Sequence, residues 1–372
     1  MNSKQAWLAL TAVLFSVLAC APAAPARSTP TPSAPRAAAA AGQPAAQAPT
    51  VAPPRELVKV RWGGQSVLTD SGAYIALDRG YFQEEGIDFE YVNFASASDV
   101  VPALANNQLE VGALSCNVAT LNALGRGTGI KLVADRGILR PGFGWIALVV
   151  RPDLIESGRF RTPADLRGLQ VAVTPPLGAT SNAVAIARLL EREGIAEDDV
   201  QFTPLPFPDM NPALANGAVD AAFHSEPLMS TALRQGIAAR IIGSDEIYPN
   251  QQLGIVGYGG GFIREQPEAA RRFMVAYLRG LRDFVDAFSQ NRDRAAVVQA
   301  LIRHTPVKDP AVYDQMTPTG FNPDGYMNVE SMAADQEWFL AQGRLPQRVD
   351  LGTVVDHQYV DYALSRLGRY QP

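Results

Sequence analysis

Two short polar segments of the chain carry side chains that could do chemistry. One is Ser-Cys-Asn at 115–117, and the other is His-Ser-Glu-Pro at 224–227. The second segment contains the residue types of a serine hydrolase relay, in which a histidine takes the serine proton. Successive side chains in an extended segment point to opposite sides, so His224, Ser225 and Glu226 cannot pass a proton in line. Binding is therefore a better interpretation of both segments than catalysis, and we expect no catalytic residues.

Other catalytic and metal-binding signatures are missing from the sequence. The histidines are His224, His304 and His357, the cysteines are Cys20 and Cys116, and no His-Glu-x-x-His or paired-cysteine motif occurs. Gly-x-Ser-x-Gly and the phosphate-binding Gly-x-x-x-x-Gly-Lys are absent as well. We therefore predict no metal site and no cofactor.

The charge balance excludes one class of partner. Lys and Arg number 32 against 37 Asp and Glu, for a formal net charge of −5. Nucleic-acid binding depends on neutralising phosphates with clustered basic side chains. An acidic chain without a basic cluster is not expected to bind nucleic acid.

The N-terminal residues predict export. Lys4 precedes an apolar stretch at 6–18, which is too short to span a bilayer and typical of a signal peptide. It ends in Val-Leu-Ala-Cys, which resembles a bacterial lipobox, although Leu18 stands where a small residue is usual. We predict a signal peptide at 1–20 and lipidation of Cys20, on the extracytoplasmic (periplasmic) side of the cell membrane. An ordinary signal peptide with an incidental cysteine is the alternative.

Residues 21–56 are rich in Pro and Ala and have almost no large apolar side chains. Such a segment cannot bury enough surface to offset the entropy of ordering, and proline keeps it extended. We predict a disordered tether between the lipid anchor, the only expected membrane attachment, and the folded body.

The folded body alternates strands with helices. Apolar segments at 57–62, 89–94 and 111–114 predict strands separated by helices, and the same rhythm resumes between 169 and 223. This alternation predicts an α/β fold with parallel sheets and crossover helices. Beyond 261 the pattern is mostly helical, with long amphipathic segments at 267–288 and 329–342.

An internal repeat suggests that the body has two similar lobes. Pro-Ala-Leu-Ala-Asn occurs at 102–106 and again at 212–216, an offset of 110 residues, and at that offset Ser115 corresponds to Ser225. Coincidence in an Ala-rich protein is the alternative, but the acidic residues before each strand also correspond. Parallel sheets bind ligands beyond the carboxyl ends of their strands. We therefore predict that the loops at 115–117 and 225–227 face each other across one cleft.

Several segments resemble the SsuA/TauA/NMT1-THI5-like substrate-binding proteins of ABC importers. They are 71–94, 106–114, 158–173 and 221–238, and the similarity extends from Leu57 to the C-terminal helices. The resemblance implies a type II periplasmic-binding-protein fold, with lobe 1 at 57–147 and 257–372 and lobe 2 at 148–256. Two crossover strands, near 148–151 and 255–258, would join the lobes. It also implies a monomer that binds a small molecule and delivers it to an ABC transporter permease.

Position selects the candidate ligand-binding residues, which lie in loops after strands, at helix starts and near the crossovers. Three of these candidates have a structural alternative. Trp62 could lie in the core, Phe143 could pack in an ordinary hairpin, and the glycines after Tyr258 could simply form a tight turn. The candidates are Trp62, Gln65, Ser66, Thr69, Asp70, Ser115, Asn117, Phe143, Trp145, Thr180, Ser181, His224, Ser225, Glu226 and Tyr258.

The acidic candidates guide the choice of ligand. Asp70 and Glu226 would place negative charge at two helix N-termini, where an anion would otherwise bind. A neutral heteroaromatic with N–H or O–H donors would bond to these carboxylates and stack on aromatic side chains. Within the family this favours riboflavin, or another vitamin precursor such as a thiamine-type pyrimidine. A sulfonate, taurine or nitrate is the alternative.

Two other classes of function remain open at this stage. The pyrimidine-precursor synthases form an enzyme branch of the family, but the chain lacks their cysteine-rich motif and carries an export signal. A membrane-tethered sensor would close on its ligand in the same way, and the sequence cannot separate it from a transport protein.

Overall fold

Strands and helices alternate through most of residues 57–372, the part of the chain that the computed structural model describes. The predicted signal peptide, Cys20 and the predicted tether lie outside the described residues. The strands are β1 (Val58–Gly64), β2 (Ile87–Asn93), β3 (Val111–Ser115), β4 (Lys131–Ile138), β5 (Ile146–Val150), β6 (Gln170–Val173), β7 (Gln201–Pro204), β8 (Ala221–Ser225), β9 (Ala239–Gly243) and β10 (Gln252–Tyr258).

Up to β10 the helices lie between strands along the chain, and from residue 260 onward the elements are all helices. They are α1 (Ser71–Asp78), α2 (Tyr81–Glu84), α3 (Ala97–Ala105), α4 (Val118–Gly125), α5 (Pro152–Glu156), α6 (Ser181–Arg192), α7 (Phe207–Ala215), α8 (Leu228–Arg234), α9 (Ser244–Ile247), α10 (Gly260–Glu265), α11 (Pro267–Ser289), α12 (Arg294–His304), α13 (Pro310–Gln315), α14 (Val329–Ala341), α15 (Leu351–Val354) and α16 (Gln358–Leu367).

The strands form two five-stranded sheets of the same topology. The order is β2-β1-β3-β10-β4 in the first sheet, which defines lobe 1, and β7-β6-β8-β5-β9 in the second, which defines lobe 2. The predicted α/β, two-lobe fold is confirmed. The sheets are mixed rather than parallel, however, because β10 runs antiparallel to β3 and β4, and β5 runs antiparallel to β8 and β9.

The chain changes sheet earlier than the predicted crossovers. Strand β5 pairs only within the second sheet, and β10 pairs only within the first. The connections therefore lie at 139–145 and 248–251, ahead of both predicted crossings, and the strand at 252–256 belongs to lobe 1 rather than lobe 2. The two connections are hydrogen-bonded, since Leu139 N donates to Gln251 O (2.9 Å) and Asn250 N donates to Leu139 O (2.7 Å).

The sequence repeat corresponds to a structural repeat. Helices α3 and α7 are nine residues each and differ by the same offset, from Ala97 to Phe207, as do β3 and β8. The acidic residue before each of these strands holds the neighbouring strand. Glu110 accepts from the backbone N of Arg61 (2.7 Å), and Asp220 accepts from the backbone N of Gln170 (3.0 Å).

The longest helix, α11, forms the centre of the lobe 1 core. Its aromatic and aliphatic side chains recur at the spacing of one helical face and are fully buried, among them Phe273, Tyr277 and Leu281. That face packs on α1 and α16. Within the described residues, none of the helices has the length and apolar character needed to cross a membrane.

Candidate ligand cleft

A cavity of about 850 Å³ opens where the two lobes face each other. Its walls are loops that follow β1, β2 and β3 in lobe 1 and the equivalent β6, β7 and β8 in lobe 2. These are the carboxyl ends of parallel strands, where α/β sheets bind their ligands. We call this cavity the interlobe cleft; the loop residues that line it fall at 65–69, 93–99, 115–117, 174–176, 180–182, 206–208 and 225–228.

The structure brings most of the candidate residues to this one cleft. The two serine loops line the same cavity from opposite lobes, with Ser115 on one side and Ser225 on the other. The candidates on the wall are Gln65, Ser66, Thr69, Ser115, Asn117, Trp145, Thr180, Ser181, Ser225 and Glu226.

Two predicted aromatic site residues lie in the core instead. Trp62 has no exposed surface and stacks on Phe273 and Tyr277, and Tyr258 is equally buried, with its hydroxyl donating to Ala270 O (2.9 Å). Both belong to strands of the first sheet on the face covered by α11. The loop that follows β1 reaches the cleft, but the last side chains of the strand itself do not.

Phe143 and His224 also lie away from the cleft wall. Phe143 is half-buried in the first connection between the lobes, beneath the guanidinium of Arg140. His224 points away from the cavity, because adjacent residues of β8 alternate between the two faces of the sheet. Its Nε2 lies 2.7 Å from Asn211 Oδ1, and burial lowers its pKa to about 4, so the ring is neutral at pH 7.

Asp70 is buried beneath the cleft floor and paired with Arg136, a residue that the sequence analysis did not select. Arg136 Nη1 donates to Asp70 Oδ1 (2.6 Å), and the hydroxyl of Tyr91 and the backbone N of Gln65 donate to Asp70 Oδ2. The carboxylate is fully buried and does not line the cavity. Its negative charge is compensated by Arg136, so the predicted repulsion of an anion by Asp70 is wrong.

Glu226 remains on the wall and connects the two lobes. Its Oε1 accepts from Ser230 Oγ (2.9 Å) and from Thr317 N (3.1 Å), and its Oε2 accepts from Ser230 N (3.0 Å). Burial raises the pKa of this carboxyl. A carboxylate oxygen accepts about two hydrogen bonds, so Oε2 has capacity for one further donor.

Two groups of lining residues were missed. Phe94 and Phe207 add aromatic surface from equivalent loops of the two lobes. The rule that selected Ser115 at the carboxyl end of β3 could also have found these loops after β2 and β7. The end of α12, with His304, and the turn that follows it, with Lys308, also line the cleft. No local signal identifies that turn, because only the packing of α12 against α1 brings it there.

His224, Ser225 and Cys116 are not arranged as an activated nucleophile. His224 is bonded to Asn211, and the Ser225 hydroxyl donates to the carbonyl of Glu226 (3.3 Å), so no serine–histidine pair forms between them. Burial raises the pKa of the Cys116 thiol, which disfavours the reactive thiolate. Across 57–372, no three His, Cys, Asp or Glu side chains are grouped as metal ligands.

Curated relatives share modest sequence identity with the chain. A Brucella abortus protein described as a binding protein is 25% identical over 213 residues, which cover 56% of this chain and 61% of that protein's length. The riboflavin-binding protein RibY of Chloroflexus aurantiacus is 24% identical over 347 residues, covering 90% of this chain and 93% of RibY.

Solved structures share the fold. The alkanesulfonate-binding protein SsuA of Xanthomonas axonopodis has a TM-score of 0.64 and 20% identity, covering 81% of this chain and 99% of SsuA. The nitrate-binding protein NrtA of Synechocystis has a TM-score of 0.65 and 16% identity, covering 84% of this chain and 90% of NrtA. The desulfurization enzyme DSZB also has this fold, with a TM-score of 0.61 and 16% identity, covering 83% of this chain and 99% of DSZB.

The family model described as "NMT1/THI5 like" matches residues 69–287, more than half of the chain. The match begins after β1 and ends within α11, so it includes the other nine strands of the two sheets and both connections between the lobes. The chain belongs to the NMT1/THI5-like family.

Proposed function

We propose that this protein is the solute-binding protein of an ABC import system and captures a small planar heteroaromatic molecule in the interlobe cleft. The observation that carries the proposal is that one cavity takes its lining from equivalent loops of both lobes. A ligand that contacts both lobes favours the closed arrangement, because it makes only part of these contacts when the lobes separate.

The aromatic side chains of the cleft support a planar ligand. Phe94, Trp145, Phe207 and His304 line the cavity from different elements. Stacking on such side chains contributes about 0.5–1.5 kcal/mol per pair beyond the burial of apolar surface. RibY, which aligns over most of the chain, is named for riboflavin binding. Riboflavin, or a related pyrimidine-containing vitamin precursor, is therefore the proposed ligand class.

An anion is the second candidate ligand, because SsuA and NrtA bind a sulfonate and nitrate and share the fold. The cleft offers a small anion limited positive charge. Arg136 is paired with Asp70, and Arg303 is paired with Asp78. Lys308 keeps its charge, because its Nζ donates to carbonyls such as Thr305 O (2.8 Å) and forms no ion pair among the described residues, so the cleft offers an anion this one unpaired cation.

The lipid anchor at Cys20 and the extracytoplasmic location are part of this proposal and rest on the sequence of residues 1–20. A monomer is also part of the proposal and rests on the family resemblance. An enzyme of the pyrimidine-precursor synthase type is the alternative from another class, and turnover of candidate pyrimidines by the purified protein would support it.

A ligand panel tests the proposal directly. Purified protein is examined for flavin absorbance and then melted with riboflavin, a thiamine-type pyrimidine, taurine or nitrate. A ligand at 100 times its Kd stabilises the folded state by about 2.7 kcal/mol, which raises the Tm measurably. We expect riboflavin or the pyrimidine to raise the Tm. A rise with taurine or nitrate alone would contradict the heteroaromatic ligand.

Removing the Glu226 carboxylate tests the cleft. We expect Glu226→Ala to weaken binding of the identified ligand more than tenfold, because Oε2, which accepts from Ser230 N, can accept one further donor from the ligand. The variant will also be less stable, since Ser230 N and Thr317 N lose their acceptor. Glu265→Ala, at a largely exposed position on α10, is the control. Unchanged affinity in titration calorimetry would show that Glu226 does not contact the ligand.

A further inference from the structure

His304, the last residue of α12, brings a half-buried aromatic ring to the interlobe cleft from lobe 1. One face of its imidazole stacks on Tyr74 of α1, with 5.0 Å between the ring centroids and 9° between the ring planes. No other ring of residues 57–372 stacks on it. Because Tyr74 is buried behind His304 and does not line the cavity, the surface that the imidazole exposes is open to a ligand.

The ring behind His304 is held in place by hydrogen bonds. Tyr74 is 1% exposed, and its hydroxyl donates to Tyr91 Oη (3.0 Å), which in turn donates to Asp70 Oδ2 (2.8 Å). Asp70 is itself paired with Arg136. We therefore expect little rearrangement of this support when a ligand binds. Contacts that are organised in advance lose less conformational entropy on binding.

Two other aromatic residues of the cleft are less suited to this role. Trp145 is 5% exposed, so it offers a ligand little ring surface. Phe207 lies over His224 with 6.0 Å between the ring centroids and 24° between the planes, which is a looser stack. His304 combines an accessible ring surface with a parallel support.

The surroundings of His304 favour its neutral form. Burial lowers the pKa of the imidazole below its ordinary value, Asp78 of α1 opposes this effect, and Arg303 and Lys308 lower the pKa further. The ring is therefore neutral at pH 7, and a flat ligand can cover it without removing a cation from water. A ligand on the open face also takes water from the imidazole, which should favour the neutral form still more in the complex.

We propose that the planar ring of the ligand lies on the open face of His304, as the third ring of a stack that begins at Tyr74, and that the neutral imidazole is the binding form. The inference rests on the proposed binding function and names a residue that recognises the ring. Riboflavin has a flat ring system of this kind, whereas taurine and nitrate have no aromatic ring. The stack therefore favours a heteroaromatic ligand over either anion.

Titration calorimetry with riboflavin on matched variants tests the stack. His304→Phe keeps a flat ring over Tyr74, whereas His304→Leu keeps only an apolar side chain. At pH 7.5 we expect His304→Phe to bind within about twofold of wild type and His304→Leu to bind about three- to tenfold more weakly, because one aromatic pair is lost. The same comparison is made with the thiamine-type pyrimidine if that is the ligand that binds.

His357 supplies the matched control. It is also a half-buried histidine beside an aromatic ring, that of Tyr326, but it does not line the cleft. His357→Leu should therefore bind riboflavin as tightly as wild type.

The pH dependence of binding distinguishes stacking from a structural role of His304. In wild type, riboflavin affinity should be constant above the pKa of His304 in the free protein and should fall as the pH drops through it, because the imidazolium must lose its proton before the ligand binds. We expect a loss of about twofold or more between pH 7.5 and 5. The loss should be smaller in His304→Phe, which has no proton to release, and unchanged in His357→Phe.

The failure of this inference differs from the failure of the proposed function. If wild type binds riboflavin and His304→Leu binds it equally well, the stack is refuted while the binding function stands. The same pH profile in wild type and His304→Phe would refute the neutral imidazole as the binding form. If wild type binds taurine or nitrate and not a heteroaromatic, the proposed ligand class is refuted, and the stack with it, since neither anion has a ring.

Discussion

At the scale of single residues, the partner of a buried carboxyl group decides its role. Asp70 lies in the segment after β1 and Glu226 directly follows β8, yet Asp70 is neutralised by Arg136 and Glu226 is held by neutral donors. Asp335 of α14 is a third case. It is fully buried, and its Oδ2 accepts from Gln251 Nε2 (2.9 Å) beside the second connection between the lobes.

The titration of Asp335 predicts a pH dependence of stability. Burial raises its pKa from 3.8 to about 7, outweighing the opposing effects of Gln251 and Arg188. Because the folded-state pKa exceeds the unfolded value, this residue's contribution is fully present below about pH 4 and is lost as the pH rises through 7. Asp335→Asn should therefore be more stable than wild type at pH 8, on the order of a few kcal/mol, and nearly equal to it at pH 4.

Urea unfolding at pH 4, 6 and 8 measures this difference. Asp198→Asn, at an exposed position in a turn, is the control and should follow wild type at every pH. If the free energy of unfolding of Asp335→Asn changes with pH in parallel with that of wild type, then Asp335 is ionised at neutral pH without a loss of stability.

At the scale of elements, close helix packing depends on one glycine. A Cβ at Gly280 of α11 would lie 2.2 Å from Gly72 O and 2.7 Å from Ala76 N of α1. Both contacts are to backbone atoms, which cannot move aside as a flexible side chain can. The glycine therefore sets how closely α11 approaches α1, and with it the position of α12 and the turn that lines the cleft.

Gly280→Ala tests this packing, because helix propensity and packing predict opposite changes in the free energy of unfolding. Helix propensity alone predicts that alanine stabilises a helix by about 1 kcal/mol. We expect the opposite, a loss of about 1–3 kcal/mol, because α11 and α1 must separate. Gly125→Ala in α4 is the control, since its Cβ would meet only side-chain atoms at 3.3 Å or more. A more stable Gly280→Ala in urea unfolding would refute the packing argument.

At the scale of the whole molecule, several contacts connect the two lobes. Val118 N of α4 donates to Ala179 O before α6 (3.1 Å), and Thr317 N donates to Glu226 Oε1 (3.1 Å). Arg234 of α8 forms an ion pair with Asp309 beside α13 (3.2 Å). Separation of the lobes would break contacts of this kind, so we expect them to slow the release of a ligand held between the lobes.

A crosslink between the lobes should slow ligand release. Val118 N and Ala179 O are hydrogen-bonded across the lobes, so we expect cysteines at the two positions to be close enough to form a disulfide. In Val118→Cys/Ala179→Cys, oxidation should reduce the dissociation rate of the bound ligand at least tenfold, and reduction should restore it. Stopped-flow displacement measures the rate, with each single variant as control. Equal rates in the oxidised and reduced protein would show that release does not require these loops to separate.

The sequence alone determined the α/β class, the repeated helix-and-strand units and the loops that contain Ser115 and Ser225. These features depend on local periodicity and on short sequence segments, which are present in the sequence whatever the tertiary structure. The rule that ligands bind at the carboxyl ends of parallel strands then placed both loops on one cleft.

Only the tertiary structure decided which side chains the cleft presents. Trp62 and Tyr258 are buried because α11, far along the chain, covers their face of the sheet. Arg136 compensates Asp70 across 66 residues of sequence, a pairing with no local signal. Strands β5 and β10 run antiparallel to their neighbours because the chain enters each from the other lobe. Burial, ion pairing and strand direction are set by contacts distant in sequence, and no local pattern encodes them.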